Sequence, residues 1–388
     1  MNNCTSFLLL LAAACFCISC KRSVPTSTIA IRGGDETVIS VDFDQVGEQP
    51  FDLSPYIDSV RYIALETSDT ALVSRIKKVN VANGLLYIHD SAKKIVVYDT
   101  EGRFIYQIDA LGLGPQEYSS IHDFCVYRGQ VEILDLDARK LLRYRAEDGD
   151  FIESVSLQSF FYHFLPVPGH NYLADIHLYL QDEGMGTLLL DSLTNQRERL
   201  LSFAEHPTFA NNINAFSALK DSVYGIFSQV DYTVYHFTYP QTLERKYVYR
   251  FNQGLSLSAR AGKRSVELSA HDMDELIMPS FYKESHLFIL LQLVYQSKGI
   301  EILYDKQTGE TTVSPALLCR SLQCIELLPT DTSHLLASVV QPFQLELMKH
   351  TPKEQIPPPL RNGALYDIAL QSREDSNPVI QLIYLKHE

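Results

Sequence analysis

Tryptophan is absent from all 388 residues, although the chain carries 22 Tyr and 19 Phe. The aromatic side chain with the largest stacking face is missing, which counts against a stacking platform for sugars. Cysteine is scarce: of seven, Cys4, Cys15 and Cys17 fall in an apolar amino-terminal stretch, leaving Cys20, Cys125, Cys319 and Cys324. That number excludes the disulfide framework of a small secreted scaffold. Cys319 and Cys324 are open to either a local bridge or isolated thiols. Beyond the amino terminus no run approaches the ~18 apolar residues of a transmembrane helix. Basic residues are outnumbered, 33 Lys and Arg against 47 Asp and Glu, giving a net charge of −14. Nucleic acid and anionic lipid head groups are disfavoured as partners, because both would be repelled.

Catalytic signatures are missing as well. The chain contains no Gly-x-Ser-x-Gly elbow and no His-Glu-x-x-His pair, so serine-hydrolase and zincin chemistry have no support. Ser74/Lys77, Ser91/Lys94 and Ser217/Lys220 match Ser-x-x-Lys but lack the companion motifs of penicillin-binding enzymes. Gly112-Leu113-Gly114-Pro115 lacks the third glycine of a dinucleotide loop.

What is present begins with a leader. Residues 1–19 contain no Asp, Glu, Lys or Arg, and Phe7 to Ala14 is unbroken apolar chain, too short to span a bilayer but long enough for a signal-peptide core. Ser19 before Cys20 resembles a lipobox, in which the cysteine is acylated and becomes the new amino terminus. Cys15, after Ala12-Ala13-Ala14, is the rival site. Residues 1–19 are thus read as a lipoprotein signal peptide, 20–38 as a flexible Ser, Thr, Pro and Gly-rich tether, and 39–388 as the folded domain.

In that domain short segments rich in Val, Ile, Leu, Tyr and Phe alternate with turn signals, with scarcely a convincing helix. Lys78–Val81, Leu85–Ile88, Ile95–Tyr98 and Phe104–Ile108 are joined by turns at Asn83-Gly84, Asp90 to Lys93 and Thr100-Glu101-Gly102. Such turns supply positive φ or local side-chain bonds. Four sequential antiparallel strands make one propeller blade. The order repeats from Phe124 to Leu157, and fainter copies follow at 164–203, 217–251, 281–313 and 325–385. The spacing of roughly 45 residues suits repeated blades.

The expectation is an all-β, six-bladed β-propeller of four-stranded antiparallel blades, with seven blades as the rival count because 256–279 is hard to assign. Within that stretch, Ser269 to Met278 reads as a capped short helix. Val60 to Leu65, ahead of the first unit, is the strand that would complete the last sheet and close the ring.

Tyr62-Ile63-Ala64-Leu65-Glu66-Thr67, Leu111-Gly112-Leu113-Gly114-Pro115-Gln116-Glu117-Tyr118 and Asn377-Pro378-Val379-Ile380 resemble the six-bladed β-propeller lipoproteins of Bacteroides and its relatives. The resemblance implies a lipid-anchored envelope propeller and transfers no catalytic residue, since that family is defined by fold and anchor. In such lipoproteins an acidic stretch after the cysteine resembles a surface-export signal. Lys21-Arg22-Ser23-Val24 lacks it, which implies an outer-membrane location facing the periplasm, with the cell surface as the alternative.

Candidate chemistry is sparse. His163, His170 and His177 recur at seven-residue steps, a spacing that does not aim them at one metal across strands and turns. Asp135 and Asp137 lie in a blade turn where Asp usually bonds its own backbone, with a calcium site as the sharper reading. The pair His122-Asp123 opens the second blade, where loops approach the central channel. Phe160-Phe161-Tyr162 and the rings of 232–239 read as core between blades. Gln355 to Pro359 reads as a stiff extended loop.

No cofactor, metal ligand or catalytic residue is assigned, and Cys20 alone receives a role by position. The leading reading is a membrane-anchored envelope lipoprotein whose propeller binds a protein or an extracellular polymer. The alternative is a propeller enzyme, a hydrolase or lyase acting on glycans or peptides. Titratable side chains gathered at one channel mouth would favour the enzyme, and a broad polar-rimmed apolar patch would favour binding.

Overall fold

Alternation of buried and exposed side chains, interrupted by turns that need positive φ, produces six four-stranded antiparallel sheets around an axis. The computed structural model describes residues 29–47, 51–176, 185–191, 197–203, 211–220, 222–256, 269–315, 327–356, 360 and 363–386. Cys20 and its rival Cys15, Cys319, Cys324, His177 and Pro357 to Pro359 lie outside them. No helix among the described residues is long and apolar enough to cross a membrane.

Three strands precede the first blade: β1 (Ile31–Arg32), β2 (Thr37–Val41) and β3 (Ile57–Ala64). Blades one to five are consecutive meanders spanning 76–108, 123–156, 163–203, 216–251 and 278–314. In each, the first strand is innermost and approaches the first strand of its neighbours around the axis. Blade six takes Leu327–Leu328, Leu335–Val340 and Val379–Leu385 from the carboxyl-terminal part of the chain and β3 as its outer strand. Six blades, not seven, are therefore present, and the closing strand is the one the sequence proposes. Closure removes an unpaired sheet edge.

The amino-terminal segment does more than the tether reading of 20–38 allows. β1 and β2 both pair in parallel with Thr242–Phe251, the outer strand of blade four. Phe43 then stacks on Tyr295 at 4.5 Å and Phe251 at 5.5 Å between ring centroids, before the chain reaches blade six. Residues 31–47 thus strap the outer edges of blades four and five, so paired strand is present ahead of residue 39.

Helices appear only as insertions. α1 (Ala270–Asp274) carries a capping box between Ser269 and Asp272, as its sequence suggests. α2 (Pro342–His350) and α3 (Ala364–Gln371) interrupt blade six on either side of the segment Gln355 to Pro359 that reads as an extended loop. Each is about two turns long and buries only two residues, Leu345 and Met348 or Leu365 and Ala369, so neither leaves a sustained period in the sequence.

Two of the quoted sequence signatures meet at the ring closure. The buried Asn377 side chain donates to the carbonyls of Glu66 (2.7 Å) and Ala71 (2.6 Å) and accepts from the Val73 amide (2.9 Å). Gly102, at φ +84°, brings its turn so close to β3 that a Cβ would lie 2.1 Å from the Ala64 carbonyl oxygen. The third signature closes a connector between blades one and two. Gly114 donates to the Glu117 carboxylate at 2.8 Å, Gly112 leaves it room, and Tyr118 is buried with its hydroxyl on the Ile108 carbonyl.

Candidate functional site

Polar side chains at the start of each blade turn toward the axis, where they line a cavity of about 450 Å³. All six blades contribute: Lys77, Lys78 and His89 from blade one, His122 and Asp123 from the start of blade two, and His163 from blade three. Asn212 and Phe216 of blade four, Lys283 of blade five and Thr330 of blade six complete the wall. The volume lies within the usual range of small-molecule sites.

Lys78 is the hub. Its buried ammonium donates to Asp123 at 2.8 Å and to the Phe124 carbonyl at 2.8 Å, and pairs as an ion with Asp331 at 2.7 Å. Burial opposes that charge, but Asp123 and Asp331 outweigh it and hold the ammonium above its ordinary range. Asp123 also accepts from the Phe124 amide (2.8 Å) and the Phe164 amide (3.2 Å), with His163 Nδ1 at 3.4 Å. Burial would raise its carboxyl, yet Lys78 and His163 keep it well below the usual carboxylate range. Asp331 is fixed in turn by the Asn80 amide at 2.6 Å. Blades one, two, three and six are thereby cross-braced near the axis.

Lys283 differs. Its buried ammonium donates to the Thr330 hydroxyl at 2.7 Å and to the carbonyls of Thr330 (3.1 Å) and Thr332 (2.5 Å). Among the described residues no carboxylate lies within ion-pair distance of it. Desolvation pulls its pKa down to about 7, opposed in part by Asp331. His89 is buried with its edge toward Phe124, its Nε2 has no hydrogen-bond partner, and desolvation lowers its pKa to about 3. The imidazole is therefore neutral at physiological pH.

Two further buried carboxylates, Glu284 and Glu132, lie between blades and each accepts from several donors. Glu284 receives His236 Nε2 at 2.8 Å, Lys306 at 2.6 Å and the Tyr282 hydroxyl at 2.8 Å. Arg143 and Tyr172 hold Glu132 at 2.9 and 2.6 Å. His122, Asp135 and Asp137 bring donor atoms within 4.8 Å of one another, the arrangement a cation would need. Both Asp135 oxygens, however, serve the turn, accepting from Ser119 and Ala138, and His122 Nδ1 accepts from the Leu136 amide. The turn itself accounts for Asp135 and His122, while Asp137 is exposed beside His122 at 3.8 Å.

The pair singled out by the sequence, His122-Asp123, does stand in the cavity wall. His163 joins it, whereas His170 lies in a turn beside Arg128. Phe161, Tyr232, Tyr235 and Phe237 are core, as expected. Lys78, His89, Lys283 and Asp331 were not legible as a site. Lys78, His89 and Lys283 are polar residues inside strands, such as Lys77-Lys78 between Ile76 and Val79, and Asp331 lies in the turn between two strands of blade six.

Comparison with solved structures finds chains of similar fold. An 18% identical Bacteroides fragilis protein, BF0058, provisionally described as exported, superposes with a TM-score of 0.73 over 90% of this chain and 100% of its own. A member of the DUF4221 family from Bacteroides vulgatus, 12% identical, gives 0.50 over 85% of this chain and 97% of its own. At these identities the likeness is one of fold. No curated protein matches the sequence. A family model described as a domain of unknown function, DUF4934, matches residues 36–384, and the chain belongs to that family of Bacteroides-type propellers.

Proposed function

We propose that this protein is an envelope lipoprotein, anchored through Cys20, whose propeller channel binds a small polar unit of an extracellular polymer. The observation that carries the reading is the cavity itself, to which all six blades contribute polar groups. A cavity of that size suits one sugar-sized unit better than a flat protein surface. The fold family and its exported-type neighbour support an envelope location, and the leader supplies the anchor.

A second reading, an enzyme, draws on the gathering of titratable groups at the channel. Glycoside hydrolysis in its usual form uses two carboxyl groups facing the substrate. Asp123 lines the cavity but is saturated by Lys78 and two amides, and Asp331 is not among the lining residues. Binding is therefore the better-supported function.

Affinity capture of the tagged protein from crosslinked envelopes tests it. Reproducible recovery of one polymer or protein supports binding. Recovery of nothing, alongside turnover of a glycan or peptide library, would favour the enzyme. The anchor is tested separately: Cys20→Ala is expected to abolish acylation and release the domain, and persisting lipidation would move the site to Cys15.

A further inference from the structure

Resting on the binding reading, we propose that the channel is an oxyanion site: it takes a carboxylate- or sulfate-bearing unit, whose charge faces Lys283 and Lys77 and whose oxygen meets His89. Three observations carry this. The Lys283 ammonium is buried on the cavity wall, and its hydrogens are spent on hydroxyl and carbonyl oxygens that bring no negative charge. A buried cation without a counter-ion is costly, so an anion entering the cavity gains what the fold withholds. His89, only 3% exposed, presents to the same cavity an Nε2 with no partner, and as an Nε2–H tautomer it donates to an incoming oxygen. Lys77, exposed at the mouth, adds a third ammonium beside those of Lys78 and Lys283. Among the described residues, Asp123 on the wall and Asp331 behind it oppose them, and both are already drawn to Lys78. In a chain of net charge −14 this channel is a locally positive spot, and low-dielectric walls focus such a field.

The site is expected to bind with proton uptake. Around Lys283 stand Asp331, which favours its protonation, and Lys78, which opposes it. The chain entering blade four contributes uncharged Asn212, Ile213, Asn214 and Phe216, Tyr282 adjoins Lys283 on blade five, and Lys77, His89, His122, Asp123 and His163 lie elsewhere around the cavity. An anion binds the protonated amine better. Affinity should therefore be full below about pH 7 and fall as pH rises through that value.

The test is calorimetric titration of the full chain with glucuronate, glucose 6-sulfate and glucose at pH 6 and pH 8. At least one charged probe should bind and glucose should not, and whichever anion binds tighter identifies carboxylate or sulfate as the natural group. Affinity should drop about tenfold from pH 6 to pH 8. Lys283→Met, which removes a buried charge without a cavity, should abolish binding, and Lys283→Arg should restore it with little pH dependence. Glucose binding as tightly as the anions, or undiminished affinity in Lys283→Met, would overturn the proposal. So would failure of both anions, and if envelope capture still succeeds the binding reading survives alone.

Discussion

Individual charged residues decide both the stability of the axis and its chemistry. Lys78 neutralises two carboxylates at once, so Lys78→Met leaves Asp123 and Asp331 without a cation. We expect a loss of about 3–5 kcal/mol in urea unfolding, because removing one partner of a buried pair costs far more than the pair contributes. A loss under about 1 kcal/mol would show that the network is ornamental. Titration should show the same residues from the other side. His89 is held neutral down to about pH 3, while an unfolded histidine protonates near 6.5. Glu284, held by His236 and Lys306 against burial, keeps its charge down to about pH 2. Both groups bind fewer protons folded than unfolded as pH falls, so both lose stability toward acid. Lys283 extends the trend upward: titrating near 7 when folded and 10.5 when unfolded, it makes stability rise between those values. A series of melting temperatures should climb across that interval in the native chain and lie flatter there in Lys283→Met.

Among the elements, the closure between blades six and one is the most exacting. Asn377→Ala strands the Glu66 and Ala71 carbonyls and the Val73 amide in a buried place, and should cost about 2–4 kcal/mol. Gly102→Ala sets a methyl against the Ala64 carbonyl in a backbone conformation with positive φ, and should cost about 1–3 kcal/mol. Near-native urea midpoints for either variant would show that the turn and latch relax freely. These elements were readable from sequence because each leaves a local mark. Asn83-Gly84 and Thr100-Glu101-Gly102 punctuate strands, and the regular spacing of such marks gives the blade count. α2 and α3 left no comparable mark, since two buried residues per helix cannot establish a period. The channel was harder still: His122-Asp123 announces itself as a polar pair at a blade start. Lys283 sits between Tyr282 and Glu284, and only the ring brings it opposite Lys78.

At the scale of the whole molecule, six repeats of one meander converge six inner strands on an axis, and polar side chains at their starts build a cavity no single blade contains. The strap from β1 to β3 covers the outer edges of blades four and five and then closes blade six. Acylation of Cys20, as proposed, would join this ring to a membrane through the few residues between it and Ile29. The central claim, that the channel is the ligand site, is most directly tested by obstruction. Asn212 is exposed at the cavity wall, so Asn212→Trp should leave folding intact while filling the mouth, in a chain that otherwise has no tryptophan. Capture of envelope polymer by this variant, compared with the native chain at matched melting temperature, is the deciding measurement. Loss of capture is expected if the channel is the ligand site; capture at the native level would place the ligand elsewhere.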